Sequence, residues 1–201
     1  MRYAAAAAIV GAALIVAAGT PSAQADRRSD SLEREFAPKG RIRMDLSAGE
    51  YRISNSKDNR IRLRWSVRDT DQLARVKARA DVRGLDAKIV TDGPANHFKV
   101  DISVPSQADL FVRLTAGELR ITGVEGNKDV ELHAGELDID VGRAQDYKRV
   151  DASLWAGELR AAPFGAHKEG LFRSFDWYGK GSYRLHAKLK AGEIRLHSKA
   201  E

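Results

Sequence analysis

The sequence predicts an all-β chain: a single-domain β-solenoid, a β-helix-like stack of short strands turning at glycine corners, preceded by a cleaved signal peptide. Three observations predict it. An eight-residue phrase occurs five times, as LSAGEYRI from Leu46, LTAGELRI from Leu114, LHAGELDI from Leu132, LWAGELRA from Leu154 and LKAGEIRL from Leu189. Apolar and polar residues alternate with period two through much of the chain, the signature of half-buried strands. Cysteine is absent, so packing and backbone pairing alone must hold the structure.

The elements follow in order. Residues 1–25 read as an export signal. Arg2 is the basic start, residues 4–18 are apolar and mostly alanine, Pro21 ends the run, and Ala23-Gln24-Ala25 is a small-x-small cleavage pattern. The run is shorter than the roughly 20 strongly apolar residues of a spanning helix. The expected product begins at Asp26, has no integral membrane span and is periplasmic or extracellular in a bacterium. Without cysteine, disulfide staples, lipid-modified cysteine and thiol chemistry are excluded. The net charge of +6 is dispersed among acids. For an exported chain, nucleic acid is excluded as a partner, and anionic envelope polymers or lipid headgroups remain.

Residues 26–39 are polar and end near Pro38, so they read as a tether. The solenoid domain is 40–201, with regular repeats over about 104–161 and an aromatic-rich insert or cap over about 162–185. Alternation places Ile42, Met44 and Leu46 on one face of a strand. It does the same with Ile61, Leu63, Trp65 and Val67, and with Phe98, Val100, Ile102 and Val104. Only residues 70–80, with Leu73, Val76 and Ala80 at helical spacing, suit a short amphipathic helix. Asn55, Asp92 with Gly93, Gly123 and Gly126 mark turns.

The repeated phrase reads as a corner. In LTAGELRI, Leu114 and Ala116 share one parity and Leu119 and Ile121 the other, so a straight strand cannot bury all four. A bend at Gly117-Glu118 consumes two residues and restores the inward register. Glycine suits it because it enters left-handed conformations without a Cβ clash. A two-residue hairpin would explain the same change of parity; the recurrence favours the corner. The structural corners are Gly49, Gly117, Gly135, Gly157 and Gly192, separated by steps of 68, 18, 22 and 35 residues. Stacked corners would align Glu50, Glu118, Glu136, Glu158 and Glu193. Arg52, Arg120, Arg160 and Arg195 follow four of these glutamates at two residues' distance. The third copy instead carries Asp138, so that either His133 or a neighbouring rung balances two acids or the site stays open.

The segment VPSQADLFVRLTAGELRITGVEGNKDVELHAGELDID, residues 104–140, resembles the adhesin-like, toastrack-type β-helix family of bacterial envelope proteins. The features are Pro followed by Ala-Asp-Leu, then AGEL repeated after a G-V-x-G turn. The resemblance implies a solenoid at or outside the membrane and covers residue 40 to the end, most clearly 104–197. It implies no catalytic residues.

Chemical motifs are sparse. Asp129, Glu136, Asp138 and Asp140 could form a cation or glycan-cleaving site, but a solvated acidic face explains them as well. His97, His133, His167, His186 and His197 lack metal-ligand spacing, and no nucleophile elbow or phosphate loop occurs. No catalytic, cofactor-binding or metal residue is assigned, and no cofactor is implied. Residues 170–183 gather Phe172, Phe175, Trp177, Tyr178 and Tyr183 beside Arg173, and either cap the open end of the stack or bind. Candidate surface contacts are Trp155, Trp177, Tyr178 and Arg173. The function expected is a non-enzymatic exported protein presenting a repetitive surface to an envelope glycan or protein. The rival readings are a periplasmic structural or envelope-stress accessory acting through a protein partner, and a small glycan-active enzyme.

Overall fold

The alternating segments form strands. The computed structural model describes residues 29–198, and the expected signal peptide lies outside them. The chain runs through β1 (Ser29–Glu35), β2 (Gly40–Leu46), β3 (Gly49–Ser56), β4 (Arg60–Ser66), one helical turn α1 (Thr70–Leu73), β5 (Lys77–Arg83), β6 (Asp86–Asp92) and β7 (Lys99–Pro105). Five long strands follow: β8 (Ala108–Thr122), β9 (Lys128–Asp140), β10 (Tyr147–Ala161), β11 (Ala166–Tyr178) and β12 (Tyr183–His197). All belong to one 12-stranded sheet that does not close on itself.

The sheet folds over along the line of motif glycines. On β8, Ala108, Leu110, Val112 and Leu114 are buried with even parity, and Leu119 and Ile121 with odd parity. The change falls at Ala116–Glu118, where Gly117 has φ +119°; Gly135, Gly157 and Gly192 adopt +127°, +131° and +133°. The leading halves of β8, β9, β12 and β10 form a first layer with β2, β6 and β5. The trailing halves form a second with β3, β7, β4 and β1. Tyr51 on β3 meets Thr91 on β6 across the core, with 2.8 Å between hydroxyl oxygens. Tyr147, at the start of β10, packs edge-on against Phe164 beyond its end. A hairpin at the motif is thereby excluded, because each half pairs with the corresponding half of a neighbouring strand. Each fully buried aliphatic side chain contributes about 1.5–3 kcal/mol, and every bent strand adds another set.

The rung order is not the chain order. In space the glycines run Gly49, Gly117, Gly135, Gly192, Gly157. β12 lies between β9 and β10, parallel to both, so Leu189 stands between Leu132 and Leu154. The step of 18 residues joins adjacent rungs and the step of 22 skips one. The step of 35 runs out to the edge along β11, antiparallel to β10, and back. The run 104–161 is therefore interrupted in space by the last strand.

Other expectations are corrected. Within the expected tether, residues 29–35 are a strand antiparallel to β4. It carries no apolar alternation because it is an edge held by backbone pairing and by Glu33, which accepts from Arg60 and Arg62. The expected helix over 70–80 is one turn. From Lys77 the chain becomes β5, paired with β6 around Gly84, so that buried Ala80 follows period two. The motif alanine does not line the core: Ala48, Ala116 and Ala156 are half-buried and Ala134 and Ala191 exposed. The bend begins before it. Gly49 needs no left-handed backbone, since its rung breaks at Ser47 and Ala48 between two separate strands.

Candidate functional site

Alternation that buries every second residue of the first layer turns the residues between them outward, and the register aligns these into rows. One runs Asp81, Lys88, Arg43, Phe111, Asp129, His186, Asp151, Asp176 across β5, β6, β2, β8, β9, β12, β10 and β11. At about 4.8 Å per strand it spans roughly 34 Å. Two clefts lie along it and share Phe111. The smaller, about 490 Å³, is lined by Arg41, Arg43, Arg83 and Lys88 against Asp81 and Asp86. The larger, about 1080 Å³, has Phe111 at one end and Tyr178 at the other, with Arg149, Arg184 and Lys148 between.

The acids of the larger cleft are engaged. Arg113 bridges Asp129 (3.0 Å) and Glu131 (3.3 Å), Asp109 accepts from Asn127 at 2.8 Å, and Asp151 pairs with Arg149 and His186. Arg43 lies over the Phe111 ring at 6.0 Å and Arg149 over Tyr178 at 5.6 Å. Among the described residues no ion pair engages Arg43, Arg83, Lys148 or Arg184, so the uncommitted charge of this face is positive. Asp129, Glu131 and His186 bring ligand atoms within 4.8 Å of one another, but the guanidinium of Arg113 already bridges both carboxylates.

The sequence-predicted acidic group is dispersed. Asp129 faces out from the first layer, Glu136 stands at the bend, Asp140 is buried and Asp138 lies on the second layer. There the rows are Glu50, Glu118, Glu136, Glu193, Glu158, Glu169 and, beside it, Arg52, Arg120, Asp138, Arg195, Arg160. The rung order sets Asp138 between two arginines, at 3.8 Å from Arg120 and 3.6 Å from Arg195. Neighbouring rungs, not His133, balance the third copy. Arg160 and then His167 hold the Glu158 carboxyl below its ordinary pKa.

The aromatic segment divides. Trp177, expected at the surface, is half-buried against Phe164 with Phe175, because odd positions near the end of β11 face the core. These rings and the Tyr147–Tyr183 pair cap the core. Tyr178 is exposed at the cleft. Trp155 and Arg173 lie at the bend, and Trp155 meets Phe172 edge-on at 6.1 Å. The predicted contacts thus occupy three places: Trp177 in the cap, Tyr178 at the cleft, and Trp155 with Arg173 at the bend. Phe111, Arg149, Arg184 and His186 were missed because five strands assemble the cleft; an outward phenylalanine in an alternating strand was the available signal.

Lys128 is buried behind this cleft and donates to Tyr147 Oη at 3.1 Å and to the Gly126 carbonyl at 3.3 Å. Burial, opposed by Asp140, Asp109 and Glu125, depresses its pKa to about 8. Between pH 8 and 10 the unfolded chain binds the extra proton, so stability should rise with pH by roughly 2 kcal/mol. Above about 10 the buried tyrosines Tyr51 and Tyr147, whose pKa values are raised by burial, reverse the trend. Urea midpoints from pH 7 to 10 check this, and Lys128→Met should flatten the rise.

No family model and no curated protein matches the chain. Among solved structures it is similar to a protein from Clostridium sporogenes ATCC 15579 provisionally named for cell adhesion. The alignment has 13% identity and a TM-score of 0.57, and covers 85% of this chain and 100% of that one. A protein from Bacteroides fragilis NCTC 9343, provisionally named an adhesin, aligns over 85% of this chain and 98% of its own at 11% identity, with a TM-score of 0.33. The first likeness shows a shared all-β fold. The second is too weak to add to it.

Proposed function

We propose that the chain is a non-enzymatic, exported β-solenoid of the adhesin-like, toastrack-type kind, presenting a repetitive surface to the cell envelope. Residues 1–25 are its cleaved signal peptide, and Gly49, Gly117, Gly135, Gly157 and Gly192 are its structural corners. The observation that carries this reading is the outer face of the first layer along this row, where Arg43, Arg83, Lys148 and Arg184 lie in two clefts beside the rings of Phe111 and Tyr178. A long, shallow, register-defined face suits an extended anionic polymer of sugars better than a small substrate. The fold shared with the Clostridium sporogenes protein agrees with it. The non-enzymatic reading is supported by the ion pairs of Asp129 and Glu131 with Arg113 and of Asp151 with Arg149, which tie these carboxylates into the face of the sheet.

Equilibrium binding to isolated anionic envelope polysaccharides tests the proposal. Arg43→Glu with Arg184→Glu should weaken binding by roughly tenfold or more. Binding to none of the polysaccharides, or binding indifferent to the double variant, would remove this function. Crosslinking to one dominant periplasmic protein would replace it with the accessory role.

A further inference from the structure

The position before each motif alanine lies at its bend, exposed in four of the five copies and half-buried at Ser47. In spatial order these positions are Ser47, Thr115, His133, Lys190 and Trp155, and Phe172 of β11 stands opposite Trp155. The ridge is polar at one end and apolar at the other. Trp155 is 56% exposed, Leu171 60% and Phe172 74%, and they adjoin one another at the corner where β10 meets the edge strand. Phe172 holds φ +53°, a conformation that bulky side chains avoid. No burial compensates it; the strained backbone sets an aromatic ring outside the protein, and strain of this kind clusters at functional sites.

The charges around this corner are predominantly positive, with Lys168, Arg173 and Lys190 against one exposed acid, Glu169, beside His167. Glu158 is tied to Arg160 and His167, and Glu169 lies 3.3 Å from His167. Lys190 stands beside Trp155 on the neighbouring strand. Arg173 donates to the Glu169 carbonyl and Lys168 to the Ser174 carbonyl at 2.6 Å, so both cations are anchored to neutral acceptors and keep their charge. The same two bonds cover carbonyls that a second copy would need in order to add a strand at this edge. Strand addition is therefore opposed, while an apolar tip ringed by cations remains.

We propose that this corner is a lipid-docking wedge. Trp155, Leu171 and Phe172 enter the boundary between headgroups and acyl chains of an anionic bilayer, where an amphipathic indole is most at home. Lys168, Arg173 and Lys190 meet the lipid phosphates. The wedge lies on a different face from the clefts and does not depend on glycan binding, so either reading can fail alone.

The test is local to Trp155. In the full chain carrying Trp177→Phe, Trp65 is buried and Trp155 is the exposed reporter, so attachment through any other segment does not mimic the signal. Vesicles of phosphatidylcholine with phosphatidylglycerol should shift its emission to the blue, and brominated acyl chains should quench it. Lys168→Gln, Arg173→Gln and Lys190→Gln together should raise the lipid needed for half-quenching about a hundredfold, at about fivefold per cation. Phe172→Ser, which leaves all three cations, should also weaken the response, and circular dichroism checks that both variants fold. Emission unchanged by anionic vesicles overturns the proposal, as does equal quenching by pure phosphatidylcholine. A Trp155 shift that follows protein concentration without lipid also overturns it and makes a second copy the occupant.

Discussion

Replacing Gly135 by alanine is expected to destabilise the protein by about 4 kcal/mol or more, lowering the melting temperature by about 10 °C or abolishing the fold. Two effects add. A side-chain-bearing residue resists φ +127°, which alone costs about 1–3 kcal/mol. The new Cβ would also stand 1.9 Å from the Gly117 carbonyl oxygen, a backbone atom of the adjacent rung that cannot swing aside. Gly117, Gly192 and Gly157 each face the backbone of the next glycine in the same way, so relief at one rung is transmitted to its neighbours. Gly84→Ala is the control. Its φ is +59°, but nothing lies within 4 Å of the point where a Cβ would stand, so it should lose only about 1 kcal/mol. Thermal melts of the two variants separate stacking from backbone strain; equal losses would show that the stack adds nothing.

Asp138→Arg is expected to destabilise by about 2–3 kcal/mol, although it restores the residue that four of the five repeats carry at this position. The substitution aligns five arginines, Arg52, Arg120, the new residue, Arg195 and Arg160, about 4.8 Å apart. It removes the carboxylate shared by Arg120, Arg195 and His197, whose Nε2 lies 2.6 Å from Oδ1. It also forces a larger side chain into a site where Asp138 is only 13% exposed, and overpacking contributes about 1–3 kcal/mol. The arginine partners are 44% and 42% exposed, so the Coulomb share is small. Asp138→Asn, which keeps the volume, should lose only about 1 kcal/mol. Chemical denaturation of both variants distinguishes charge from size. A stabilised Asp138→Arg would mean that the repeats' consensus, not the spatial neighbours, governs the site.

Period and parity made much of the fold legible. Ile42, Met44 and Leu46, or Phe98, Val100 and Ile102, can alternate only as strands, and the change of parity across Gly117 requires a bend there whatever surrounds it. Residues 29–35 and Lys77–Arg83 were less legible. One is an edge strand with little apolar character, and the other has alanines compatible with either period. Whether Trp177 caps the core or faces out was left open by the sequence, because its facing depends on where β11 bends, which its own residues do not reveal.

The sequence by itself determined the strands, their inward faces and the glycine bends, because these are properties of consecutive residues and of one backbone's steric limits. Only the tertiary structure decided that β12 enters between β9 and β10. That placement sets Asp138 between two arginines, builds the larger cleft from five strands and leaves Trp155 beside Phe172 at the edge. Lateral order has no local signature: Leu132, Leu154 and Leu189 offer the same side chain to any neighbour, and the choice among them is made by the whole sheet.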